Sequence, residues 1–86
     1  MHEASLMRDL MRKILGVAEQ QGASRVVALT VRLGVLSHMD AAHFKEHFDQ
    51  AAAGTIAEGA TIHASVETDI QSPTAADVML ESVEVA

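Results

Sequence analysis

Arg25-Val26-Val27-Ala28-Leu29-Thr30-Val31-Arg32-Leu33, closed by Gly34, places large apolar side chains at every second position from Val27 to Leu33. Successive side chains of a strand point to opposite faces, so this alternation reads as a β-strand with one buried side formed by Val27, Leu29, Val31 and Leu33. Downstream, after a turn around Leu36-Ser37, residues 40–53 change to a helical period. Asp40 is the candidate N-cap, Phe44 and Phe48 share a face at i,i+4, and Gly54 is the stop signal. Glu58-Gly59 marks the next turn, and residues 60–68 alternate again, with Ile62, Ala64 and Val66 on one side. A polar stretch, 69–76 with Pro73, leads into a last strand at about 77–85. Upstream, Leu6/Met7, Leu10/Met11, Ile14/Leu15 and Ala18 form the apolar stripe of an amphipathic helix that starts at Ala4 or Ser5 and ends at Gly22.

The element order is therefore α-β-α-β-β. The expected architecture is one small α+β domain over residues 1–86, a three-stranded mixed sheet with two helices packed on one face. The β-α-β portion is compatible with a right-handed parallel crossover, and a mixed strand order is equally open. At 86 residues the chain buries a thin core and has too little length to wall a large substrate cavity.

The formal net charge is −6, and all the Lys and Arg lie between Arg8 and Lys45, leaving only acids from Glu46 onward. That balance excludes a nucleic-acid binder, which needs a basic, salt-sensitive patch. The acidic half serves solubility or forms a docking face for a basic partner. There is no cysteine, so disulfides and thiolate zinc sites are excluded. No segment approaches the roughly 20 apolar residues that span a bilayer, and the first residues carry acids in place of a signal-peptide core, so the expected location is cytoplasmic.

Two groups of residues can carry metal chemistry. At the start of the chain, the α-amine of Met1, the backbone nitrogen of His2 and the His2 imidazole can close adjacent chelate rings on one ion. Such a planar, nitrogen-rich donor set suits Ni(II) or Cu(II). It requires Met1 to be retained, which the bulky His2 favours. The second group, His43-Phe44-Lys45-Glu46-His47, matches the H-x-x-E-H pattern of inverted zinc peptidases. A zinc hydrolase also needs a third protein ligand, a cleft and supporting partners, which so short a chain does not offer. With Phe44 and Phe48 taking the core, the two histidines are expected at the water boundary, solvated, with adventitious Ni or Zn binding as the remaining reading. His63, opposite Ile62 and Ala64, is expected to be exposed. No phosphate loop, nucleophile elbow or Ser-His-Asp arrangement is readable.

Several segments together resemble the HypA-type hydrogenase nickel-incorporation proteins: Met1-His2-Glu3 with Ser5-Leu6, Arg25-Val26 leading to Gly34-Val35-Leu36-Ser37, then Phe44, Phe48 and Gly54-Thr55-Ile56-Ala57-Glu58-Gly59-Ala60. The order and spacing of these pieces over residues 1–67 carry the resemblance. It implies a nickel-binding metallochaperone, not an enzyme. The implied site is Met1 and His2 with Glu3 adjacent, and Asp40 nearby; His38, in the same turn as Asp40, is a further candidate. The implied partners are a maturation GTPase and the hydrogenase large-subunit precursor. Family members continue from here into a zinc module with paired Cys-x-x-Cys motifs. In this chain residues 69–76 stand in its place, so Ni(II) and no structural zinc is expected. A metal-free interaction module that docks on the GTPase or the precursor is the alternative.

Overall fold

The computed structural model describes residues 3–86, with side chains from residue 5 onward. Its elements are α1 (Glu3–Gln20), β1 (Val26–Leu33), α2 (Ala41–Ala52), β2 (Thr61–Val66) and β3 (Val78–Val85). The sheet has the order β2-β1-β3, with β1 parallel to β2 and antiparallel to β3. The chain is thus an α+β domain with a three-stranded mixed sheet, the expected architecture. Leu29, Val31 and Leu33 of β1 join one buried cluster with Met7, Leu10 and Ile14 of α1 and Phe44 and Phe48 of α2, so both helices cover the same sheet face.

Helix α1 begins at Glu3, earlier than the expected Ala4 or Ser5. Its far end closes as a Schellman motif: the Ala23 N–H donates to the Ala18 carbonyl at 2.9 Å and the Gly22 N–H to the Glu19 carbonyl at 3.0 Å. Gly22 adopts a φ of 63°, the left-handed conformation this stop requires. In α2, Phe44 and Phe48 are fully buried with ring centroids 6.2 Å apart. Each such ring contributes about 1.5–3 kcal/mol by burial, a large share of the stability of a domain this small.

One part of the β1 reading is corrected. Val27 is 43% exposed, whereas Val26 is fully buried. The register explains this: Val26 pairs with Val85 and Ala28 with Glu84, so Val27 is the extra residue of a β-bulge. A bulge inverts the facing of the residues before it relative to those after it. On β2, Ile62 and Ala64 are half-buried, but Val66 at the strand end is 50% exposed.

The segment between β2 and β3 is bound to the turn that follows β1. The Glu67 N–H donates to the Leu33 carbonyl at 2.7 Å, the Gly34 N–H to the Asp77 carbonyl at 2.8 Å, and the Leu36 N–H to the Ala75 carbonyl at 2.6 Å. This close passage needs a residue without a side chain at 34, since a Cβ there would lie 2.2 Å from the Ala75 carbonyl oxygen. Gly16, within α1, has open space around the corresponding position. Gly34→Ala should therefore cost about 3 kcal/mol, because backbone must move to admit the methyl group. Gly16→Ala should stabilise the domain by about 0.5–1 kcal/mol through helix propensity. Urea unfolding of both variants checks the pair, and equal effects would contradict the packing described for Gly34.

Candidate metal centre

Of the residues that the sequence marks for metal, Met1 and His2 lie outside the described residues. Glu3 is the first residue of α1, and its side chain also lies outside them. The rest of the candidate site is carried by the turn between β1 and α2. Ser37 closes that turn, with its N–H 3.0 Å and its hydroxyl 2.6 Å from the Gly34 carbonyl oxygen. His38 follows at a φ of 60°, a left-handed conformation that histidine adopts more readily than most residues. Its side chain is exposed, while the next residue, Met39, is buried and anchors the turn to the core.

Asp40 is exposed and caps α2. Its Oδ1 accepts from the His43 backbone N–H at 2.8 Å, while its own φ of −99° and ψ of 175° stay extended. This is the N-cap arrangement read from the sequence, and it aims one carboxylate oxygen into the helix end. Asp40 thus has a structural duty whether or not it also faces a metal.

The turn lies beside α1. His38 and Met39 line a hollow together with Leu6 and Lys13 of α1 and with Asp77 and Val78. Leu6 is in the first turns of the helix that begins at Glu3. The His38–Asp40 turn and the start of α1 are therefore neighbours. Among the described residues, no three or more His, Asp or Glu side chains converge on one point that could hold a metal ion.

The second histidine group lies at the water boundary, as expected: His43 and His47 are half-buried beside Phe44 and Phe48, and their rings face one another with centroids 4.6 Å apart and planes inclined by 53°. The two Nε2 atoms are 2.9 Å apart. His47 also lines a groove between the helices with Met7, Arg8 and Met11 of α1. The i,i+4 spacing was visible in the sequence; the convergence of the rings depends on rotamers and on the neighbouring helix, which periodicity does not encode. His63 is exposed, as its strand position predicts.

The family described as hydrogenase/urease nickel incorporation, metallochaperone, hypA matches residues 1–73. A hydrogenase maturation factor HypA of Archaeoglobus fulgidus is 39% identical over 67 residues, which cover 78% of this chain and 61% of that protein. A hydrogenase maturation factor HypA of Thermococcus kodakarensis is 45% identical over 62 residues, covering 72% of this chain and 45% of its own length. The chain thus spans between 45% and 61% of the length of these relatives. In structure, it resembles the solution structure of the Ni metallochaperone HypA from Helicobacter pylori. The TM-score is 0.79 at 18% identity, covering 99% of this chain and 97% of that one, a likeness of fold.

The capping geometry makes a separable prediction for Asp40. Asp40→Ala should lower stability by about 1 kcal/mol through loss of the cap, and Asp40→Asn should leave it within a few tenths. Chemical denaturation of both variants without metal checks this. Any effect of the Asp40 charge on metal binding is then read in Asp40→Asn, where the helix end is intact.

Proposed function

The chain belongs to the HypA family, and from that premise we propose that it is a nickel-binding accessory protein serving the maturation of a nickel-containing hydrogenase. The observation that carries the reading is that the matched region, residues 1–73, includes both Met1-His2-Glu3 and the turn bearing Asp40. Nickel is the cargo: the protein holds the ion and releases it to a recipient without catalysing a reaction. The proposed donors are the Met1 α-amine, the His2 backbone nitrogen and the His2 imidazole. Glu3 adjoins them, and Asp40 approaches from the neighbouring turn with His38 as a further donor in reach of the same region. Nitrogen donors of this kind fit a square-planar ion such as Ni(II).

The neighbourhood of the turn and the start of α1 supports this arrangement, because His38 and Leu6 border the same hollow. With no cysteine in the chain, a thiolate zinc site is absent and the core closes around apolar side chains alone. The proposed domain is thus the nickel-binding unit by itself, with residues 69–76 spanning the place of the zinc module. A maturation GTPase and the hydrogenase large-subunit precursor are its proposed partners, and the cytoplasm its proposed setting. Among the described residues no helix is long and apolar enough to cross a membrane.

One observation favours a second reading, an interaction module that docks on those partners without carrying metal. The chain spans only part of its relatives' length, and the docking reading needs only the matched fold, not the full length of those relatives.

Nickel titration by calorimetry separates the two. Protein that begins with a free Met1 amine should bind Ni(II), and acetylation of that amine should weaken the site at least about tenfold by removing one donor. His2→Ala should do the same. Because amine and imidazole must both shed a proton to bind, affinity should rise with pH across the neutral range. Equal affinity with and without the acetyl group would remove the amine from the donor set. No binding by either form would favour the metal-free module.

A further inference from the structure

We propose that the end of the sheet where β1 stops is a docking surface for a partner protein that presents apolar side chains ringed by Lys or Arg. Large hydrophobic residues scattered singly over a surface are ordinary, and only their clustering carries meaning. Among the described residues seven large hydrophobics are exposed, and five of them, Val35, Leu36, Val66, Ile70 and Met79, gather at this one end. The other two, Val27 and Ile56, lie at the start of β1, where the Val26 N–H meets the Ile56 carbonyl.

Pairing and backbone bonds place the five together. Val66 is the partner of Leu33, the last residue of β1, and Met79 is the partner of Arg32 just before it. Val35 and Leu36 continue directly from that strand end, and the Leu36 N–H holds the returning chain at the Ala75 carbonyl. Leu36 and Met79 border the same hollow. Ile70, 60% exposed, stands three residues beyond Glu67, whose N–H is bonded to Leu33. The chain therefore keeps Ile70 within about 11 Å of Glu67. The apolar floor runs up to the turn that carries His38 and Asp40, since Leu36 and His38 line one hollow.

Charge selects the occupant. Asp69, Asp77 and Glu81 are all exposed and lie within a few residues of Ile70 and Met79. Arg32, the only Lys or Arg of the three strands, already faces Glu67 at 3.6 Å and Glu81 at 3.8 Å. A second copy brought against this end in a two-fold contact sets these acids against their own images, and an anionic lipid surface is repelled in the same way. An apolar centre with an acidic rim instead complements apolar anchors with a basic rim. The proposal rests on the accessory-protein reading for the partner's purpose, not for its chemistry. A partner seated here stands beside the His38–Asp40 turn, where an ion held by the N-terminal donors can be handed on.

The test is an NMR titration of isotope-labelled protein with a synthetic amphipathic peptide of Leu and Lys, beside the same peptide with Glu in place of every Lys. The Leu/Lys peptide should shift the backbone signals of residues 33–36, 66–70 and 77–79, with an affinity that falls as salt rises. The Leu/Glu peptide should shift none of them. Leu36→Ser/Ile70→Ser leaves the charge unaltered and removes two exposed anchors, so it should weaken binding at least about tenfold. Asp69→Asn/Asp77→Asn keeps the apolar floor, and should weaken binding severalfold while flattening the salt dependence. Unchanged signals elsewhere in the spectra of both variants establish that the fold is kept. Shifts centred on the groove between α1 and α2, equal affinity of the unaltered and Leu36→Ser/Ile70→Ser proteins, or no response to the Leu/Lys peptide would overturn the surface. Self-association of the unaltered protein in sedimentation, abolished by Leu36→Ser/Ile70→Ser, would overturn it in favour of a second copy. The nickel reading fails separately: Ni(II) affinity should be the same in Leu36→Ser/Ile70→Ser as in the unaltered protein, and an absence of Ni(II) binding leaves the peptide shifts untouched.

Discussion

Strand β1 is hydrogen-bonded along both edges, and the arrangement of every other element follows from that. A strand in this position cannot tolerate a polar inward face, and Leu29, Val31 and Leu33 are almost wholly removed from water. Its two neighbours run in opposite directions, β2 parallel and β3 antiparallel. A parallel neighbour needs a crossover long enough to return the chain to the same end of the sheet, and α2 supplies it. The crossover brings Phe44 and Phe48 over the sheet, and these rings together with the β1 side chains form the surface on which α1 settles. The turns at both ends of β1 are tied into the same framework. The Val26 N–H donates to the Ile56 carbonyl at 3.0 Å at one end, and the Gly34 N–H reaches Asp77 at the other.

What the sequence discloses of this follows physical lines. Element type and order are legible because the apolar stripes of α1 and α2 and the alternation of β1 and β2 are strong local signals. The Asp40 cap and the Gly22 stop are legible because each depends on one residue type in one backbone conformation. The facing of Val27 is not, since a bulge leaves no mark in composition and only the pairing with Val85 and Glu84 reveals it. The central place of β1 is also hidden, because the alternating patterns suit more than one order of three strands. In the candidate site, the His38–Asp40 turn could be located from sequence, but its closeness to the start of α1 is a tertiary fact. The histidine pair was legible as a pair at the water boundary, but nothing local reports that the two rings turn toward each other.

The charge asymmetry of the sequence acquires a meaning in the sheet. Arg32 of β1 sits between two segments of the acidic half, with Nε 3.6 Å from Glu67 and a terminal nitrogen 3.8 Å from Glu81. The Arg32–Glu81 pair is half-exposed on both sides and contributes little to stability by itself, whereas Glu67 is only 13% exposed. The effect of the two pairs here is on register, since they draw β3 and the end of β2 toward the central strand from opposite sides. Thr74 adds a hydrogen bond to the Glu67 carboxylate at 3.2 Å, joining the intervening segment to the same charge.

The attachment of both ends of that intervening segment to one point has an architectural consequence. The chain leaves β2 at Glu67, bonded to Leu33, and re-enters the sheet at Asp77, bonded to Gly34, so its exit and return are held by adjacent residues at one end of β1. A loop whose ends are already pinned together pays for extra length only logarithmically, roughly 0.6 kcal/mol for each doubling. The sheet is therefore indifferent to what is spliced between those two anchors. A few turns or an entire additional module can hang there without altering a single strand pairing, which makes this junction a natural boundary at which members of such a family can gain or shed sequence.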